Sequence, residues 1–318
     1  MKQFKWRVFS LGIALLVLIG GIAGCSPQNQ DDSAVQYGPM QDRSVHYPLT
    51  LKDQTGNQVQ IEKEPRRIVS LMPSNTELLF ALGAGKQVVA VSDQDDYPEE
   101  VKNLPKVSAF QINAEQVVAL KPDLVVASSG NEKQVLDQLK KMGIPVLVAD
   151  PKSTKEIYES IVILSQATNH LKEADQLVAK MEKQLRVVYA KVAQIPEEKR
   201  VKVWIELDGN LYTVGGDTFM HELLQLAGGK NVAQGLKGWP KVSPEQVVKW
   251  NPDVIVSLHG NTEEIKKRAG WQSIRAVQEG RVYALEPDLL SRPGPRVYEG
   301  VKQLAETLYP DRFGESAR

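Results

Sequence analysis

From Tyr47 onward the spacing of apolar positions alternates between two periods. "YPLTLKDQTGNQVQIEKEP" alternates apolar and polar residues on both sides of a Thr-Gly-Asn turn, which predicts a hairpin. The short β-branched runs "RRIVSL", "QVVAVS", "LVVAS" and "IPVLVAD" read as strands. Between them lie helix patterns, "PSNTELLFALGAG" and the amphipathic "EKQVLDQLKKMG". Ser74 or Asn75 is expected to cap the first helix, and Gly83 to end it. Strands alternating with helices predict a parallel sheet covered by helices.

From Ser153 the strand signal stops. "STKEIYESIVILSQATN" predicts one helix, and a second carries apolar residues at 171, 174, 178, 181, 185, 188 and 192. At ~1.5 Å per residue it forms a rod of roughly 36 Å. A coiled-coil partner would meet the same spacing, but the stripe has few flanking charge pairs suited to one. After "IPEEKR" the alternation returns with strands "VKVWIEL" and "LYTVG", helix "TFMHELLQLAG", strand "VYALE" and a last helix from about Arg296 to Leu308. The expected fold is α/β, with two Rossmann-like lobes around parallel sheets, one long interlobe helix and a ligand cleft between the lobes. The lobes are assigned to residues 47–152 and 198–318, with a helical segment at 153–197.

One phrase occurs in both lobes. "INAEQVVALKPDLVVASSG" at 112–130 returns as "VSPEQVVKWNPDVIVSLHG" at 242–260, with eight identities at an offset of 130. Asn113 and Ser243 stand three residues before a Gln, the capping-box spacing, and Pro244 falls where a missing N–H is harmless. Glu115 and Glu245 then lie at the positive end of a helix dipole. For either alone, helix stabilisation is sufficient reason. Two in equivalent places form a matched pair, open to a partner that is itself twofold.

The balance of 39 basic and 39 acidic residues argues against a nucleic-acid partner. Residues 1–24 pair Lys2, Lys5 and Arg7 with a short apolar run, the pattern of a signal peptide. The run ends in "IAGC", which resembles a lipoprotein box. Cys25 is the single cysteine, so it has no disulfide partner, and acylation there accounts for it. Residues 25–46 read as the lipidated end of a flexible tether, and the mature chain carries a net charge of −3.

"RIVSLMPSNTELLFALG", "SDQDDYP", "ALKPDLVV", "WPKVSPEQVV" and "NPDVIV" together resemble the solute-binding lipoproteins of ABC importers for cobalamin and iron-siderophore or haem ligands. The resemblance runs from about Tyr47 to Pro310, and "PSNTE", "DYP" and "WP" are most similar to the cobalamin binders. It implies a monomeric, membrane-anchored receptor without resident cofactor, whose partners are a small molecule and a dimeric permease. It also implies that Glu115 and Glu245 dock the two permease subunits. Ligands of such sheets bind beyond the strand ends, which brings in Tyr97, Phe110, Tyr212, Trp239 and "EPDLLSRPGPR". By resemblance, Phe110, Tyr212 and Trp239 take aromatic pocket positions, and Asp288 and Arg292 match polar residues that reach ligand amides. Gln94 and Ser128 replace further aromatics, giving a more polar pocket.

His46, His170, His221 and His259 lack a clustered metal spacing. His259 with Met72 is the plausible axial pair for haem, the third ligand after a corrinoid and a ferric siderophore. No G-x-S-x-G or Walker motif supports a secreted hydrolase. "VGGDT" is a turn before a helix that could hold an anion.

Overall fold

The computed structural model describes residues 44–313. The signal peptide, Cys25 and the tether up to residue 43 lie outside the described residues.

The first lobe begins with the hairpin β1 (Leu49–Lys52) and β2 (Gln58–Ile61), closed around the Asp53 carboxylate, which accepts the Thr55 and Asn57 N–H groups. There follow β3 (Ile68–Ser70), α1 (Pro73–Ala81), β4 (Val88–Ser92), β5 (Lys106–Val107), α2 (Ala114–Ala119), β6 (Leu124–Ala127), α3 (Lys133–Lys141) and β7 (Val146–Val148). The sheet is parallel throughout, in the order β5-β4-β3-β6-β7. α4 (Thr154–Thr168) and α5 (Leu171–Val192) lead to the second lobe. There β8 (Lys202–Glu206), α6 (Phe219–Leu226), β9 (Lys230–Asn231), α7 (Pro244–Trp250) and β10 (Val254–Ser257) are followed by α8 (Thr262–Lys267) and α9 (Arg275–Gln278). β11 (Val282–Ala284), α10 (Pro287–Ser291), α11 (Val297–Leu308) and the short α12 (Pro310–Phe313) complete it, with a parallel sheet in the order β11-β10-β8-β9.

α5 spans the range its periodicity predicts, and it buries Ala174, Leu177, Met181, Leu185, Val188 and Val192. Leu177 takes the inward place expected of Val178. The stripe is used up within this chain, in a core that runs without a break from the first lobe through α4 and α5 into the second. Two smaller cores fill the other faces of the sheets. No helix among the described residues is long and apolar enough to cross a membrane.

Two local expectations are corrected. Ser74 and Asn75 lie inside α1, which Pro73 starts, and neither caps it. Asn75 instead donates to the carbonyls of Ala127 and Ala149 at the ends of β6 and β7. "LYTVG" is not a strand. Leu211 has φ +67°, and Tyr212 makes one antiparallel bridge, to Lys241. The segment hydrogen-bonds instead to the loop at 236–240, through Thr213 N–H to Pro240 O and Gly215 N–H to Gly238 O.

The repeated phrase acquires a structural meaning. Asn113 and Ser243 cap their helices as expected, while the Gln116 amide turns away to the Lys106 carbonyl. Each Pro-Asp ties its strand to the neighbouring central strand of its parallel sheet, β3 in the first lobe and β8 in the second. Asp123 accepts from Arg67 N–H at 2.8 Å, and Asp253 accepts from Lys202 N–H at 2.8 Å.

Candidate functional site

In both lobes the order of strands reverses beside a central strand, at β3/β6 and at β8/β10. Such a reversal leaves a crevice beyond the carboxyl ends of the strands. In the first lobe, Met72 and Ser128, which follow β3 and β6, line a cavity of about 430 Å³ together with Asp150 and Lys152. The facing wall comes from the second lobe: Asp217, Phe219 and Met220 at the start of α6, then Trp239, Ser291 and Pro293.

The second lobe's own crevice is filled. Glu206, at the end of β8 and fully buried, holds the Arg268 guanidinium through two bonds of 2.8 Å. It also accepts from Trp204 Nε1 at 3.2 Å and lies 3.0 Å from His259 Nε2. His259 is therefore a partner of Glu206 and does not line the cavity that Met72 lines. The haem axial pair is not assembled.

Of the six residues expected to hold a ligand, Trp239 lines the cavity and is half exposed. Phe110 and Tyr212 sit on loops after β5 and β8, at the cleft-side edges of their sheets, and are 72% and 40% exposed. Tyr97 stands elsewhere, beneath the Arg296 guanidinium at 4.1 Å, in a groove floored by α5. Ser291 and Pro293 face the cavity, but Arg292 between them is directed into the seam between the lobes. There it contacts Glu77 at 3.2 Å, Asp96 at 2.7 Å and Asp288 at 2.8 Å. Burial works against its charge, but the hydrogen bond to Asp96 and the attraction of Asp288 and Glu77 raise its pKa. Asp288 is raised, by burial and by repulsion from Asp96 and Glu286, against the pull of Arg292. Arg296 binds Glu77 as well, at 2.6 and 2.8 Å.

Glu77 was missed at the sequence level. It is a 1%-exposed carboxylate on α1 that clasps two arginines of the other lobe, and a Glu in a helix pattern gives no signal of that. Gln94 contributes its backbone carbonyl to Arg292.

Glu115 and Glu245 are exposed, at the starts of α2 and α7, and make no ion pair with any described residue. A helix preceding a parallel strand runs against it, so both starts lie at the cleft-side edge of their sheets. Hydrogen bonds to its own N–H and to Ser243 hold the Glu245 carboxyl below its usual range. The "VGGDT" turn is shaped by close packing, since a Cβ on Gly216 would stand 2.1 Å from Gln234 O. Asp217 accepts the Gly238 N–H there, placing a carboxylate where an anion was considered. His46 is exposed and His170 sits at the α4–α5 junction. His221 is buried and accepts from Asn231 at Nδ1. Among the described residues no group of His, Cys, Asp and Glu is arranged to hold a metal ion.

Two α/β lobes bridged by long helices, with the cavity at the seam, define a two-lobed solute-binding protein. The chain belongs to the periplasmic binding protein family, a family of solute-binding proteins, whose model matches residues 68–289. It is 43% identical over 310 residues, covering 95% of this chain and 97% of the relative, to YvrC, an uncharacterized ABC transporter substrate-binding lipoprotein of Bacillus subtilis (strain 168). It is 35% identical over 245 residues, 76% of this chain and 86% of the relative, to a vitamin B12-binding protein of Yersinia pestis (strain Pestoides F). The crystal structure of a possible iron-binding, periplasmic solute-binding protein of Staphylococcus epidermidis ATCC 12228 superposes with a TM-score of 0.69. It is 36% identical and covers 78% of this chain and 100% of that one.

Proposed function

We propose that the chain is the extracytoplasmic receptor of an ABC importer, tethered through acylated Cys25, and that its solute is a corrinoid of the cobalamin type. The observation that carries the ligand choice is the charge of the cleft. Among the described residues that line the cavity the one cation, Lys152, is paired with Asp150 at 2.7 Å, and Arg292 is engaged by three carboxylates. An anionic siderophore or the propionates of haem would meet no free cation among these groups. A large, flat, amide-bearing ring suits an aromatic wall with scattered acceptors. The cavity takes part of such a ring, and the rim aromatics Phe110 and Tyr212 cover more of it. Similarity to the Yersinia vitamin B12-binding protein supports this reading. The second reading, a ferric siderophore, is favoured by the likeness to the possible iron-binding protein. Glu115 and Glu245 are assigned to permease docking.

Titration with cyanocobalamin, haem and ferric siderophores separates the readings. Saturable binding of cyanocobalamin at micromolar concentration or below is expected. Its absence would overturn the corrinoid assignment and leave the receptor class in place.

A further inference from the structure

The two walls of the cavity differ in chemistry. The second lobe presents Phe219, Met220 and Trp239 beside Asp217, which is engaged by the Gly238 N–H, while the first gathers two serine hydroxyls and a lysine around the Asp150 carboxylate next to Met72. Asp150 follows β7 and its side chain is largely buried, 14% exposed. Ser128 Oγ donates to one of its oxygens at 2.8 Å, and Ser129 Oγ donates to the other. Lys152 Nζ lies 2.7 Å from the second oxygen. Burial opposes the charge, yet the bonds from Lys152, Ser129 and Ser128 hold the carboxyl below its usual range, so it is ionised at neutral pH.

Asp150 is also fixed from behind. Its backbone N–H donates to Gln54 Oε1 at 2.6 Å, an oxygen that also takes the Ser160 hydroxyl, and Gln54 N–H donates to Val148 O at 3.1 Å. The turn of the β1–β2 hairpin thus braces the end of β7. A carboxylate with its backbone pinned and its charge secured is a preorganised acceptor.

Resting on the corrinoid reading, we infer that Asp150 is a specificity-determining residue, a charge filter in the cleft. It accepts N–H or O–H donors of the ligand and rejects carboxylates at the same place. Ser128 and Ser129 hold its oxygens, and Lys152 moderates its field. A ligand rimmed with amides gains a charge-assisted hydrogen bond here, and its acid counterpart meets like charge with no unpaired cation among the described lining residues to offset it.

The test compares cyanocobalamin with derivatives in which one propionamide has been hydrolysed to a carboxylate, using the full mature chain in detergent and isothermal titration. For the derivative whose carboxylate meets Asp150, the wild type should prefer the parent amide by at least about tenfold, the order of one hydrogen bond to a charged group. Asp150→Asn should reduce that preference to within about threefold, and Lys152→Met, which leaves Asp150 unneutralised, should widen it. Unchanged ratios in variants that still bind cyanocobalamin would overturn the filter alone. Should Asp150→Asn fail to fold by circular dichroism, the Lys152→Met ratio decides. Saturation by a neutral ferric trihydroxamate with no corrinoid bound would retire the corrinoid reading and, with it, the filter that rests on it. Tight binding of haem or an anionic ferric catecholate would overturn both.

Discussion

Glu206 illustrates how much one buried carboxylate can organise. It has no exposure, and Arg268, Trp204 and His259 all converge on it. Arg268 also lies over the Trp271 ring at 4.3 Å, so the cation is held from two sides. Replacing Glu206 by Gln preserves the volume and leaves the guanidinium buried without a counter-charge. Removal of one partner of such a pair costs about 3 to 5 kcal/mol, far more than the pair itself contributes. A loss of about 3 kcal/mol in urea unfolding is expected for Glu206→Gln, and a change below 1 kcal/mol would show the pair to be solvent-relaxed. None of this was legible beforehand. Glu206 contacts residues 53 and 62 positions away, and Glu77 contacts arginines 215 and 219 away. Such pairs exist because parallel strand order and lobe closure bring remote segments together, and no local pattern encodes them. Arg292 was expected at the ligand by resemblance, yet its neighbours Ser291 and Pro293 face the cavity and it does not.

Among elements, legibility follows length. α5 was readable to its ends because seven apolar positions average out local noise. β5 and β9, two residues each, have no period to read. "LYTVG" has strand composition but takes a loop path, because Asp208 bends the chain by accepting the N–H groups of Asn210 and Tyr212. Two glycines then let it press against the loop at 234–238. Gly216 is the sharper case, since a methyl group there would stand 2.1 Å from a backbone oxygen that cannot rotate away. Gly216→Ala should therefore destabilise by about 2 kcal/mol or more, as forced overpacking does. Thermal unfolding measures this, and because the same loop carries Trp239, ligand affinity should fall with it. An alanine variant with wild-type stability would mean that the loop at 234 yields freely. The repeat was legible as a duplication, while the reasons for some of its identities became visible in the fold. Val117 and Val247 are fully buried, and Asp123 and Asp253 tie strands.

On the scale of the whole molecule, those assignments isolate the glutamates. Most repeated side chains whose role can be traced serve their own lobe. Glu115 and Glu245 point to solvent in equivalent places, one per lobe, without an ion pair among the described residues. Their helix-start positions favour a carboxylate only weakly at an exposed, salt-screened site, too little to matter to a protein with a continuous core through both lobes. That core, with the Glu77–Arg292–Arg296 clasp across the seam, holds the lobes as one frame, so the spacing between the two carboxylates is set by the fold. A rigid pair of like charges fits a twofold partner carrying two cations, and a single rim contact adds little where two held at fixed distance act together. Charge reversal at both, Glu115→Lys with Glu245→Lys, should leave ligand affinity within about twofold, since neither lines the cavity, and should abolish uptake of labelled ligand in cells. Each single reversal should reduce uptake without eliminating it. Full uptake in the double variant would remove the docking role. Loss of ligand binding in it would place the glutamates in the solute site instead, which their position outside the cavity argues against.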